Sequence, residues 1–514
     1  MTFTIFALIV LLFSYFRLTI ISSGNVAYTY DQGRDFLAGA RMVVDRDPVF
    51  IGPTTGMGGM FHGSWWYYVT ALSFLILGSN PLSYYYFLFG IHLLALIVWI
   101  VVMRKYYGDV LAIFSSLIIT AAPYYVSIQT FAGNNVLAIP SFTFFCLSLI
   151  ALSKASSKSI QLKYGALLVF FLGLWAGFVA ETELSFGIFL MPSIALLFAL
   201  SRPFREFILQ QRRLFYGACG LLIPFLPRLL FEVKNHFLQT KVLLGFFTNP
   251  KLYNPRSYSQ VFFERIEQFY GHITQSTGSS AMWAMLLVLI AYGAYLSTKQ
   301  SRKIKSTESP NHLSSIVWHL STILFGLFIF SLMYKDSFWG NYYEGIQVGF
   351  LLLFVSLLAY VRGKSNSIYT FLLITSFVFI MPVVWDRLMA TVFFKPTMSG
   401  VKLQSTVVQH IVDAQVERGE RVFCTRVFTP PVIPHTYDYL WFHHYREGTV
   451  ETPRYDYLNG RCWYIIEPEW KGFEFRQTKW KEQNIPLDAT LIKGSEKIIE
   501  GITFAEYEQS TSKK

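Results

Sequence analysis

Charge is what this chain of 514 residues has least of: Asp, Glu, Lys and Arg make up 14% of it, against about 25% in soluble globular proteins. So little polar surface excludes a soluble protein of this length. A 53% hydrophobic content with 18% aromatics excludes a disordered one. Cysteine is nearly absent, and four in the whole chain cannot frame a disulfide-rich secreted domain. The chain is not collagen-like, and it has no internal repeat or low-complexity segment. The net charge of +12 forms no basic stripe on a soluble module, so nucleic acid is not a partner. What is present is a series of long apolar runs with a mean hydropathy of +0.40. The lipid bilayer is the expected partner, and the expected fold class is mostly α, a polytopic membrane protein.

A span needs about 20 mostly apolar residues. Eleven stretches are candidates: Phe3–Ser22, Tyr84–Met103, Val110–Ala122, Val136–Ser153, Tyr164–Ala180, Leu184–Leu200, Leu214–Phe231, Ala281–Ser297, Ser315–Met333, Tyr343–Val361 and Ile368–Trp385. Trp65–Leu77 is shorter than a span and is broken by Gly78-Ser79-Asn80-Pro81, which predicts an interfacial or re-entrant segment. One set of alternate loops holds Arg104 and Lys105; Lys154, Lys158 and Lys163; Arg202 to Arg213; Lys299 to Lys305; and Arg362 and Lys364. These are fifteen basic residues against three acids, Asp109, Glu206 and Glu308. By the positive-inside rule those loops are cytoplasmic. The expected location is the plasma (inner) membrane, N-terminus inside. The first span has no basic n-region and a poor cleavage site, so it reads as a retained signal anchor. Loops 23–83 and 232–280 and the tail after Asp386 then face outward.

Residues 1–395 read as the membrane part carrying the chemistry, and 396–514 as a small, separable extracytoplasmic α/β domain. Val401–Val416 has amphipathic helical spacing, Tyr437–Tyr445 looks helical, and Arg421–Val427 and Cys462–Ile466 alternate like strands. Cys424 and Cys462 fall on those two strands. Two buried free thiols are the expectation, with a bridge as the other outcome.

Ionisable groups inside a bilayer are costly, and the spans hold few: Arg17, His92, Arg228, His319 and Glu344. Arg17 and Arg228 lie near span ends, where they can snorkel to the interface. The polar groups gather instead in the outer loops, which suits an enzyme at the membrane surface better than a proton-coupled transporter. In Tyr30-Asp31-Gln32-Gly33-Arg34-Asp35, helical spacing puts Asp31, Arg34 and Asp35 on one face. A carboxylate beside a cation can stay ionised and serve as base toward a hydroxyl; alternatively the trio closes a helix end. The glycines of Ile51-Gly52-Pro53 and Gly58-Gly59-Met60-Phe61-His62-Gly63 permit close backbone approach. His62 suits phosphate, a metal or a sugar hydroxyl, or a hydrogen bond within its own loop.

These residues resemble a known family. The outward Asp31, the Ile51-Gly52-Pro53 turn and Phe61-His62-Gly63 followed by aromatics are similar to the first outer loop of the GT-C superfamily. More narrowly, they resemble the bacterial dolichyl-phosphate-mannose–protein mannosyltransferase-like group. Asn134-Asn135, Glu181-Thr182-Glu183, Pro227-Arg228 through Glu232, and Gly340-Asn341-Tyr342-Tyr343 extend the resemblance over residues 1–400. It implies sugar transfer from a polyprenyl-phosphate-linked donor to an acceptor hydroxyl, with inversion, on the outer face. The acceptor class (protein, lipid or glycan) is not legible. Asp31 matches the family's essential acid. Many members have Asp-Glu there and this chain has Asp31-Gln32, so Asp35 becomes the candidate for any second acid. Arg228, Lys234, His236 and Lys241 gather where the seventh span exits and suit the donor phosphate, or form a cationic collar at the headgroups. Glu181 and Glu183 suit sugar hydroxyls or a divalent ion, or cap their helices, and Tyr343 joins the substrate-binding set. No cofactor follows from the resemblance with certainty, and a divalent metal stays open. The competing readings are a lipid-linked glycan ligase or polymerase, a lipid or sugar transporter or flippase, and a scaffold that kept the fold without catalysis.

Overall fold

A computed structural model describes residues 2–156, 164–210, 212–248, 254–282, 284–285, 288–289, 291, 312–430, 433–458 and 460–509. In a bilayer the backbone has no hydrogen-bond partner but itself, so the apolar runs fold as helices. The membrane part contains α1 (Thr2–Ser22), α2 (Tyr30–Val44), α3 (Trp65–Leu77), α4 (Leu82–Tyr107), α5 (Asp109–Ala121), α6 (Pro123–Gln129), α7 (Ala138–Ser156) and α8 (Gly165–Thr182). It continues with α9 (Leu184–Leu200), α10 (Arg202–Leu209), α11 (Arg213–Lys234), α12 (Leu238–Thr248), α13 (Tyr258–Thr277), α14 (His312–Ser331), α15 (Ile346–Arg362) and α16 (Asn366–Val392). Among the described residues seven helices are long and apolar enough to cross a membrane, or nine if each bent pair is one span. The chain is a multi-pass membrane protein.

The difference from eleven has physical causes. Val110–Ala122 does not stop at Pro123: it bends 59° there and continues as α6. Leu184–Leu200 turns by 99° into α10 at a proline in that helix's first turn. Tyr343–Val361 is shortened to α15, because Gly345 takes a left-handed φ of 103° after a 3-10 turn over Gly340–Tyr343. Ala281–Ser297 falls largely outside the described residues, as do Lys158, Lys163, Lys299, Arg302, Lys303, Lys305 and Glu308.

Arg17 does not snorkel. It is fully buried, and it donates to the carbonyls of Ile119 and Thr120 at 2.9 and 2.8 Å and to Gln129 Oε1 at 2.6 and 2.9 Å. These are carbonyls left open where Pro123 ends α5, at the negative end of a helix. His319 likewise ties helices together, between the Ser153 and Ser201 hydroxyls.

Beyond residue 396 come α17 (Val401–Glu417), α18 (His435–Arg446) and α19 (Glu474–Asn484), with β1 (Thr425–Phe428), β2 (Arg461–Ile466), β3 (Ala489–Leu491), β4 (Lys497–Ile499) and β5 (Ile502–Gln509). The sheet runs β1-β2-β5-β3 with β4 also on β5; β1 and β2 are parallel and the other pairs antiparallel. Cys424 and Cys462 are joined by a disulfide rather than left as thiols, because the parallel pairing of their strands brings the Cα atoms to 4.5 Å. The C-terminal part also does not stand apart. One hydrophobic core takes in Tyr28, Phe36, Trp66 and Tyr84 from the first loop and its helices, and Val408, Ile411, Tyr437 and Trp441 from α17 and α18. A Cβ on Gly33 would lie 2.3 Å from the His435 carbonyl oxygen, so α2 and α18 touch backbone to backbone.

Candidate functional site

Small residues set the site's foundation. Glycines on both helices let α8 and α11 approach: Gly173 lies against Gly217, Gly177 against Leu221 and Pro224, and Gly220 against Phe170, and a Cβ on Gly173 or Gly220 would stand 2.1 Å from a carbonyl oxygen opposite. Such small-residue seams let membrane helices approach closely. One turn beyond the seam, Glu181 meets Arg228: Arg228 Nε donates to Glu181 Oε1 at 2.6 Å. The pair is buried, so Arg228 belongs to the protein interior and not to a collar at the headgroups. Its Nη1 also donates to the Phe61 carbonyl at 3.0 Å and to Gln239 Oε1 at 2.8 Å. Glu232 folds the end of α11 back to deliver Gln239, taking the amides of Gln239 and Thr240 and the Thr240 hydroxyl. Among the described residues, four shielded polar atoms around this pair find no partner: Arg228 Nη2, Glu181 Oε2, Gln239 Nε2 and His62 Nδ1.

Residues 52–63 form a small hairpin over the pair. Gly52 N donates to the His62 carbonyl, His62 N to that of Pro53, and Thr55 N to that of Met60. Gly63 donates to the Glu181 carbonyl at 2.7 Å, and a Cβ there would strike Glu181 Oε2 at 2.1 Å. That approach is what the Phe-His-Gly motif requires of its glycine. Asn134, from the Asn-Asn motif, donates to the Thr182 carbonyl beside it.

The acidic cluster forms as its spacing predicts. Arg34 bridges Asp31 (Nη2 to Oδ1, 3.0 Å) and Asp35 (Nε to Oδ1, 2.8 Å). The two acids differ sharply. Asp31 has a side chain 64% exposed, whereas Asp35 is buried and also accepts from Trp66 Nε1 at 2.8 Å and Tyr67 at 3.3 Å. Burial pushes the Asp35 carboxyl above its ordinary range, against Arg34 and the Trp66 bond, which pull it down. His62 lies within electrostatic reach of both clusters: burial first, then Arg228 and Arg34, lower its pKa to about 3. The imidazole is neutral at neutral pH and offers one donor and one acceptor.

Gln32 explains the departure from an Asp-Glu pair. It is buried, its Oε1 accepts from the Thr29 amide and hydroxyl, and its Nε2 donates to the Ala132 carbonyl at 2.6 Å. A carboxylate lacks that donor. Gln32→Glu is expected to cost about 1–3 kcal/mol by stranding a buried carbonyl against an acceptor, read as a lower unfolding temperature in detergent.

Other expected site residues go elsewhere. Lys234, His236 and Lys241 are exposed and do not join Arg228 on Glu181. Tyr343 is a core residue: it is fully buried among Phe186, Phe189, Phe269 and Phe338, with its hydroxyl on the Leu327 carbonyl. Glu183 caps α9 through the Ser185 amide. Burial, with Glu344 as a further, smaller cause, raises its pKa to about 8; Glu344, hydrogen-bonded by Tyr124, is raised by burial to about 7. The fold therefore keeps protons that the unfolded chain loses above about pH 4.5, so stability declines as pH rises toward about 8. Thermal unfolding between pH 5 and pH 8.5 should show that decline, and Glu183→Gln should flatten it. Among the described residues no three His, Cys, Asp or Glu side chains group as metal ligands.

No protein-family model matches the chain, and no curated protein matches it. Solved structures do. Apo ArnT from Cupriavidus metallidurans superposes with a TM-score of 0.58 at 12% identity, covering 97% of this chain and 98% of that one. The same protein bound to undecaprenyl phosphate gives 0.53 at 13% identity with the same coverage. The Archaeoglobus fulgidus oligosaccharyltransferase, in complex with Zn and sulfate, gives 0.51 at 11%, covering 94% of this chain and 70% of that one. The fold is thus the GT-C fold that the resemblance implied, with a small C-terminal sheet.

Proposed function

We propose that the protein is a membrane glycosyltransferase that moves a sugar from a polyprenyl-phosphate-type donor to an acceptor hydroxyl on the outer face. One observation carries this reading. On a fold shared with a protein solved with undecaprenyl phosphate, the Asp31–Arg34 pair and the Arg228 Nη2, Gln239 Nε2 and His62 Nδ1 atoms, unpartnered among the described residues, stand around one loop. Asp31 takes the acceptor's hydroxyl proton. The acceptor oxygen bonds to the sugar's anomeric carbon as the bond from that carbon to the phosphate oxygen breaks, and the electron pair leaves with the phosphate. Arg228 and Gln239 receive the phosphate charge with donors that need no reorganisation. Asp35 is a positioning residue, holding Arg34 against Asp31. A single displacement of this kind inverts the anomeric centre.

A lipid-linked glycan ligase is the second reading, favoured by the likeness to the oligosaccharyltransferase. Both are tested by incubating the purified protein with labelled polyprenyl-phosphate monosaccharides and polyprenyl-linked oligosaccharides. Release of the lipid carrier from a monosaccharide donor supports the first reading. Release only from an oligosaccharide donor supports the second, and release from none overturns both.

A further inference from the structure

Only the first end of α18 belongs to the site above, where His435 packs on Tyr30 and Gly33. Eight residues on, about 12 Å along the helix axis, His443, His444 and Glu447 line a separate open cavity of about 640 Å3. That volume falls among small-molecule pockets of about 300–1,000 Å3. Its walls fix its level. Ser22 ends α1, Leu82 begins α4, and Pro396 follows closely on the end of α16. Three helices long and apolar enough to span therefore end at its rim.

Across from α18, α17 presents Lys402, Ser405 and Gln409 on one face. Ser79 Oγ engages His443 Nδ1 at 2.9 Å and orients that ring. Glu447 lies 3.5 Å from His443 Nε2 and 3.8 Å from His444 Nδ1, too far for good hydrogen bonds, so its carboxylate keeps its acceptor capacity. Burial holds both imidazoles below their ordinary range, so they are uncharged at neutral pH and Lys402 balances Glu447. The cavity therefore offers mixed donors and acceptors with no net charge, over the apolar surface of Pro81 and Leu440. That suits a ring of hydroxyls with a C–H face better than it suits a phosphate.

We infer that this cavity binds the sugar headgroup of a membrane-anchored glycolipid, and that this glycolipid is the acceptor. The second half rests on the transfer reading above; the first does not. A headgroup longer than one sugar ring would run along α18 from the cavity to Asp31.

The test uses the full chain in phosphatidylcholine nanodiscs. One probe is dodecyl maltoside with a photoreactive diazirine on its terminal glucose; the other is a phospholipid with the same group on its choline. After illumination, cross-links are mapped by mass spectrometry. The maltoside should label 402–409 and 440–447 about tenfold more than the phospholipid does, a preference of about 1.4 kcal/mol. Ser405→Trp, which fills the cavity, should remove that excess; Gln409→Ala serves if the Trp variant does not fold. Equal labelling by both probes, or excess labelling that survives both substitutions, overturns the glycolipid site. With a donor that turns over, loss of labelling should accompany a raised acceptor KM. An unchanged KM overturns the acceptor role alone, and labelling without transfer from any donor overturns that role together with the transfer reading.

Discussion

Asp31→Asn is expected to slow sugar transfer about 10²–10⁴-fold, the range a positioned general base contributes. The amide keeps the shape of the side chain and removes the proton acceptor. Asp31 is largely exposed and holds one ion pair, so expression, unfolding temperature and donor binding should change little. Asp35→Asn should behave differently. It weakens a buried network with Arg34, Trp66 and Tyr67, so stability and turnover should fall together. Steady-state rates at saturating donor, read beside melting curves, separate the two. Near-normal turnover of Asp31→Asn would move the base elsewhere.

Arg228→Ala is expected to cost about 3–5 kcal/mol of stability, because it leaves Glu181 charged and buried without its partner. The hairpin should loosen as well, since Arg228 also holds the Phe61 carbonyl and Gln239. The double variant Glu181→Gln/Arg228→Met removes both charges and should recover most of the melting temperature. It should not recover binding of a polyprenyl phosphate, because the Arg228 Nη2 donor is gone. Restored binding in the folded double variant would take the phosphate away from Arg228.

Asp31, Arg34, Asp35 and His62 were legible in the sequence because they lie in one loop and helical spacing brings the first three together. The Glu181–Arg228 pair is separated by 47 positions, and its register depends on how two helices dock. The signal was there in Gly173, Gly177, Gly217 and Gly220, small residues three and four apart on each helix. The motifs around Arg228, Glu181 and Glu183 bring all three toward the site, but nothing in their spacing pairs Arg228 with Glu181. Gln239, Trp66 and Tyr67 were missed because they contribute single atoms from amide and aromatic side chains that composition does not mark. Tyr343 joins the substrate set only through its motif, Gly340-Asn341-Tyr342-Tyr343, and the packing that puts its ring in the core is not written in that motif. The continuity of α17 and α18 with the first loop was hidden as well. Charged, proline-containing sequence looks independent, and only the packing of Tyr437 and Trp441 with Phe36, Trp66 and Tyr84 joins the two.

In the proposed reaction, transfer is a single displacement at the anomeric carbon with Asp31 as the one base. A donor carrying 13C at that carbon, turned over by the wild-type protein with whichever acceptor supports release, reports the stereochemistry directly by NMR. An inverted product is the expected result. A retained configuration would require a covalent sugar–protein intermediate and would contradict the single displacement.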